Sequence, residues 1–109
     1  MEVIYENNPC GGKGTMKLEK ILTEAEMKDK CGLYARVTLR PGDVLGYHEH
    51  HGNGECYFIL SGEGVYDDNG VKRLVKAGDV TWTPDGSGHA LSNENGKEDV
   101  VFMALIINA

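Results

Sequence analysis

The chain has 109 residues, 40% of them hydrophobic, with 17 Asp and Glu against 11 Lys and Arg. That length accommodates one domain with its own core, and that hydrophobic content excludes a disordered chain. A net charge of −6 repels phosphate backbones and argues against a nucleic-acid partner, and the longest apolar run, Val100–Ile107, is far too short to span a bilayer and argues against a membrane one.

No charged-then-apolar leader opens the chain, and the three cysteines, Cys10, Cys31 and Cys56, share no CxxC spacing. Both features predict free thiols in a reducing compartment, hence a cytoplasmic protein.

Met1–Gly14 is rich in turn residues (NNPCGGKG) and lacks a period, so residues 1–15 are expected to form an irregular arm, mobile or ordered against a partner. Met16–Leu22 alternates apolar and charged residues before breaking, which predicts a short edge strand. In TEAEMKDKCG, Thr23 and Glu26 have capping-box spacing, Glu24 lies in the first turn, and Lys28 and Lys30 lie in the last. A short helix is therefore expected over Glu24–Lys30, with Gly32 ending it.

Beyond the helix every signal is a strand, and the core barrel is expected over residues 33–108. LYARVTL places Leu33, Ala35, Val37 and Leu39 on one face. Asn69-Gly70 between two alternating runs is a strong hairpin signal, and ENGKED before the last strand is read as a second hairpin loop. Short strands with frequent turns and no crossover helices predict an all-β antiparallel sandwich or barrel. CYFIL and VVFMALII are apolar on both faces. Their outer faces need a cover: a second subunit is the simplest, the helix or the arm the alternative.

Three of the four histidines fall within four positions, in GYHEHHGNGE. Strand parity sends His48 and His50 to one side and His51 to the other. Glu55 opens the next strand and lies across from the histidine pair if those two strands pair. Two imidazoles and a carboxylate buried together cost several kcal/mol without compensation. A divalent transition metal supplies that compensation. His89, after the loop PDGSG, offers a fourth ligand. His51 and Glu49 have the wrong parity and are expected in solvent.

These residues also carry a resemblance. Gly42, His48, His50, Glu55 and Gly62 match the spacing of the first signature of the cupin superfamily. Gly78, Pro84, Gly86, His89 and Asn93 match the second. The short separation between the two is similar to that of small single-domain bacterial cupins. The resemblance implies a double-stranded β-helix (jelly-roll) barrel with one short N-terminal helix, a single domain over residues 1–109. It further implies one divalent transition metal (Zn, Mn, Fe or Ni) per chain, held by His48, His50, Glu55 and His89, and a homodimer. Gly42, Gly62 and Gly78 would hold turns, Pro84 and Gly86 would shape the loop before His89, and Asn93 would be a hydrogen-bonding residue.

Four protein ligands leave one or two positions open on such a metal, and three neutral imidazoles with one carboxylate leave a net charge of +1. That site suits a small polar ligand, a carboxylic acid or a sugar derivative. A metal-dependent isomerase, decarboxylase or oxygenase and a non-catalytic ligand-binding or sensing protein fit these residues equally. Parity places Val44, Gly46, Tyr57, Ile59 and Leu91 on the pocket wall, with Tyr57 the candidate to hydrogen-bond a ligand. Thr81, Trp82 and Thr83 are left undecided at the mouth. No further carboxylate or arginine is placed inward, since Arg36 points out. The arm, with Cys10 or Lys13, remains a candidate lid, although Cys10 is read as a surface cysteine.

Overall fold

The computed structural model describes residues 1–109. Its ten strands are β1 Val3–Asn7, β2 Thr15–Lys20, β3 Cys31–Leu39, β4 Val44–Glu49, β5 Asn53–Ser61, β6 Glu63–Asp68, β7 Val71–Lys76, β8 Val80–Thr83, β9 Gly88–Ser92 and β10 Val100–Asn108. They build a six-stranded sheet, β1-β2-β3-β10-β5-β8, and a four-stranded sheet, β4-β9-β6-β7. All neighbours are antiparallel. One core joins the sheets: Val37, Tyr57, Ile59 and Phe102 from the first pack with Tyr66, Val75 and Leu91 from the second. This is the jelly-roll barrel.

The alternation of β3 does what its sequence requires, burying Ala35, Val37 and Leu39 while Arg36 points out to a two-pronged contact with Glu19. The Asn69-Gly70 turn joins β6 to β7 with positive φ at both residues, 50° and 100°, as a two-residue hairpin demands.

Four local expectations change. Residues 1–15 are not irregular: β1 pairs with β2 from Val3↔Glu19 to Asn7↔Thr15, and a one-turn 3-10 helix follows at Pro9–Gly11. The β1 sequence was hidden because its outer residues, Val3 and Tyr5, are themselves exposed and blur the alternation. In consequence β2 is not an edge strand but lies between β1 and β3. The helix α1 is a single turn, Glu24–Met27. Its capping box forms, but Lys28 and Asp29 adopt left-handed backbone angles, so the chain turns towards β3 before Lys30. Finally, residues 93–99 do not form a hairpin loop. They carry the chain from β9 in one sheet to β10 in the other.

The outer face of β8, β5 and β10 is apolar and open. Trp82 faces Cys56, and Val80 faces Phe58, which in turn faces Met103. Trp82, Val80, Phe58 and Leu60 are each 41–58% exposed, so neither α1 nor the N-terminal segment covers them.

Candidate metal centre

The four-stranded sheet supplies the histidines. His48 sits directly opposite His89 in the β4–β9 pairing, and His50 follows just beyond the end of β4. Glu55 comes from β5, in the other sheet. The His and Glu strands therefore do not pair, as the sequence had allowed; Glu55 reaches the histidines across the barrel interior. Ligating atoms of His48, His50, Glu55 and His89 all lie within 4.8 Å of one another. His50, Glu55 and His89 are buried, and His48 is partly so.

The Nε2 atoms of His50 and His48 are each 3.0 Å from that of His89. Glu55 Oε1 is 3.1 Å from Nε2 of both His50 and His89 and 3.9 Å from that of His48. Four donors at about 2.1 Å from one ion and at right angles stand about 3.0 Å apart, so this group has the span of a metal shell.

The opposite ring nitrogens explain why all three Nε2 atoms point inward. His48 Nδ1 donates to the Gly46 carbonyl at 2.7 Å, and His50 Nδ1 to the Asn53 side-chain oxygen at 2.7 Å. Those acceptors fix the proton on Nδ1 and leave a lone pair on Nε2. His89 Nδ1 has two partners, Thr83 Oγ1 at 2.8 Å and the Tyr66 hydroxyl at 2.9 Å, themselves 2.8 Å apart. Lone pairs facing one another at 3.0 Å cannot hydrogen-bond. A cation among them turns repulsion into ligation, so the donor set fits a divalent metal.

The charges agree. Burial pushes the Glu55 carboxyl up, but the neighbouring imidazoles outweigh it and hold it at about 2, so it is ionised. Burial, reinforced by His48 and His50, holds the His89 imidazole below its ordinary value against the pull of Glu55. For His48 burial acts in the same sense, but contacts with Glu55 and Gly46 outweigh it and raise the ring.

Tyr57 lies against the centre. Its ring stacks on His89 at 4.8 Å, and its hydroxyl is 3.3 Å from His89 Nε2. Burial, then the Glu55 charge, pushes the phenol well up, so it keeps its proton.

In front of the donors lies a cavity of about 220 Å³, lined mostly by apolar side chains that include Met16, Leu45, Phe102 and Ile106. Two predicted wall residues, Val44 and Gly46, are replaced by Leu45. An extra residue in β4 between Leu45 and His48 shifts the register against β9 and reverses parity. Gly46 has no side chain because the Cys10 carbonyl occupies that space; a Cβ there would lie 2.2 Å from the oxygen. Tyr57 lines the cavity as expected, whereas Ile59 and Leu91, also expected on its wall, are buried in the core behind it; Thr81 and Thr83 turn inward, and Trp82 turns out. His51 and Glu49 are exposed and contact each other at 3.3 Å. Asn93 donates to the carbonyls of Leu39 and Glu98.

The sequence did not point to Tyr66 or Asn53, nor to Glu6 as a cavity residue. Tyr66 is reached only through the β6–β9 pairing, which no local pattern announces. Thr83, left undecided from the sequence, is placed by the β5–β8 ladder, where it lies opposite Glu55.

The Cupin domain family model matches residues 35–106, two thirds of the chain. The chain belongs to the cupin family. This cupin is 44% identical over 101 residues to an oxalate-binding protein of Thermotoga maritima, covering 93% of this chain and 83% of that one. A crystal structure from the same organism, described as a predicted oxalate decarboxylase, matches the whole cupin with a TM-score of 0.93 at 41% identity, over 94% of its own length. A Thermus thermophilus protein shares the fold alone, at 22% identity and a TM-score of 0.74 over 85% of this chain and 83% of that one.

Proposed function

We propose that this cupin, acting as one domain over residues 1–109, binds one divalent transition metal through His48, His50, Glu55 and His89. Through it the protein holds a small chelating carboxylate. The observation that carries this is the convergence of three Nε2 lone pairs and an ionised carboxylate, their outer nitrogens already engaged, at the wall of a cavity of about 220 Å³. When bound, the metal supplies a Lewis acid with net charge +1 at the site, which attracts an anion. The cavity is too small for a large sugar nucleotide and suits a ligand of a few heavy atoms. The oxalate-binding relative supports a short carboxylic acid over a sugar.

Binding without turnover is the first reading. Metal-dependent turnover is the second, favoured by the protonated Tyr57 hydroxyl beside the donors, which could hydrogen-bond a reacting ligand. Untagged protein should carry close to one equivalent of Zn, Mn, Fe or Ni. Calorimetry with oxalate, glycolate and a 2-oxo acid reports binding, and mass spectrometry of the same mixtures, with and without oxygen, reports conversion. Stabilisation with no product supports the binder; product supports the enzyme; absence of binding by any of the acids overturns the carboxylate reading.

Two copies are proposed to pair through the open face of Trp82, Val80, Phe58 and Leu60, which is too apolar and contiguous for free solvent. A cytoplasmic setting is supported by three free cysteines, and no helix is long and apolar enough to cross a membrane.

A further inference from the structure

The metal cavity is closed on one side by the N-terminal segment. That segment brings to it the only ionisable side chains besides Tyr57 and the donors themselves, Glu6 and Cys10. Glu6 is there by strand parity: it shares the inner face of β1 with Ile4, which packs against the core, and it stands opposite Met16 of β2. The segment is fixed rather than loose. Asn8 donates to the Gly14 carbonyl at 2.7 Å, and Lys13 and Val44 exchange two backbone hydrogen bonds at 2.9 Å. Gly12 lies so close to β4 that a Cβ would fall 1.8 Å from the Val44 oxygen. Asn8 and Cys10 hold left-handed backbone angles, φ 48° and 51°, a strained state that persists only where surrounding contacts dictate it.

Cys10 brings no charge. Burial, together with the carboxylates of Glu6 and Glu55, pushes its thiol up and keeps it protonated. Glu6, exposed at the rim, is thus the one further carboxylate side chain on the outer wall of a mostly apolar cavity. With the metal and four ligands at +1, Glu6 brings the cavity to zero. A monoanion then leaves one net negative charge, and a dianion leaves two, at a site where most walls cannot solvate charge.

We propose that Glu6 is the charge-selecting residue of the ligand site, discriminating against doubly ionised acids in favour of singly ionised chelators such as 2-hydroxy and 2-oxo monocarboxylates. This rests on the carboxylate reading above and deepens it. Oxalate would still bind, but under opposition from Glu6.

The test compares oxalate, a dianion at neutral pH, with glycolate, a monoanion of similar size, by calorimetry on the zinc-loaded protein. Wild type, Glu6→Gln, Glu6→Ala and a surface control, Glu63→Gln, are measured at one ionic strength. Both Glu6 variants should shift the ratio of the two dissociation constants by about threefold or more towards oxalate, the order expected of a like charge at a water-screened rim. The control should leave the ratio unchanged, and zinc content should be equal throughout. A ratio within twofold of wild type in both Glu6 variants, with both acids binding, overturns the role of Glu6 alone. Failure of both acids to bind wild type and variants alike overturns the carboxylate reading, and the role of Glu6 with it.

Discussion

Replacing Thr83 by Val and Tyr66 by Phe, singly and together, probes how the protein keeps His89 ready for metal. His89 Nδ1 has two hydroxyl partners within 2.9 Å, both side chains at most 1% exposed, and we assign the proton to Nδ1. Either substitution alone removes one hydroxyl and leaves the other to accept the Nδ1 proton. Each should cost about 1 kcal/mol of stability, the net worth of a neutral buried hydrogen bond, and lower zinc affinity by less than about threefold. The double variant strands a buried N–H, which costs about 1–3 kcal/mol more. The imidazole escapes that cost by moving its proton to Nε2, the nitrogen that faces the other donors. Zinc must then displace that proton, so affinity should fall about 10–100-fold, well beyond the product of the single effects. Chelator competition measures affinity, and urea melts of the metal-free proteins measure stability. A double variant that is folded, yet binds zinc as the product of the single variants predicts, would refute the assignment of the proton to Nδ1.

The His48→Ala, His50→Ala pair removes two of four donors; bound metal by elemental analysis should drop from about one equivalent to near none, and full retention would sink the site. Zinc affinity should fall as pH is lowered, because protons compete for the imidazoles. Against the effect of burial, contacts with Glu55 and Gly46 raise His48 above its ordinary 6.5, so the loss should begin above pH 6.5 while Glu55, held at about 2, stays ionised; titration of affinity from pH 8 to 5 checks this. In the metal-free protein the folded pKa of Glu55 lies below the ordinary 4.5, so its stabilising contribution is complete above that value and is lost as pH falls towards about 2, which acid melts read directly. Trp82→Glu puts a charge in the middle of the open apolar face and should turn a dimer into a monomer by light scattering; a wild-type mass already near 11.9 kDa would remove the dimer.

The grouping of His48, His50, Glu55 and His89 and the barrel were legible in the sequence, because the spacings that mark them are local. Strand parity sorts His48 and His50 from His51, and turn glycines mark each reversal. Non-local features were less legible. The sequence suggested that Glu55 meets the histidines along a ladder, whereas the chain changes sheet between β4 and β5, and no single-residue signal marks such a change. The pocket wall was misassigned at Val44 and Gly46 by one residue, because parity fails silently at a bulge whose cause, the Cys10 carbonyl over Gly46, lies far away in sequence. Tyr66 and Glu6 were missed for the same reason, being brought to the site by strand neighbours rather than by spacing.

The distribution of the donors between the two sheets has a mechanical consequence. An ion held by His48 and His89, 41 residues apart, and by Glu55 from the opposite sheet would be a cross-link. It would close long loops in the unfolded chain as a disulfide does, yet be reversible by a chelator. The barrel mouth would then have two mechanical states, clamped and unclamped. Slow amide exchange in β4 and β9, far more than in the β6–β7 hairpin, would register which one the protein occupies.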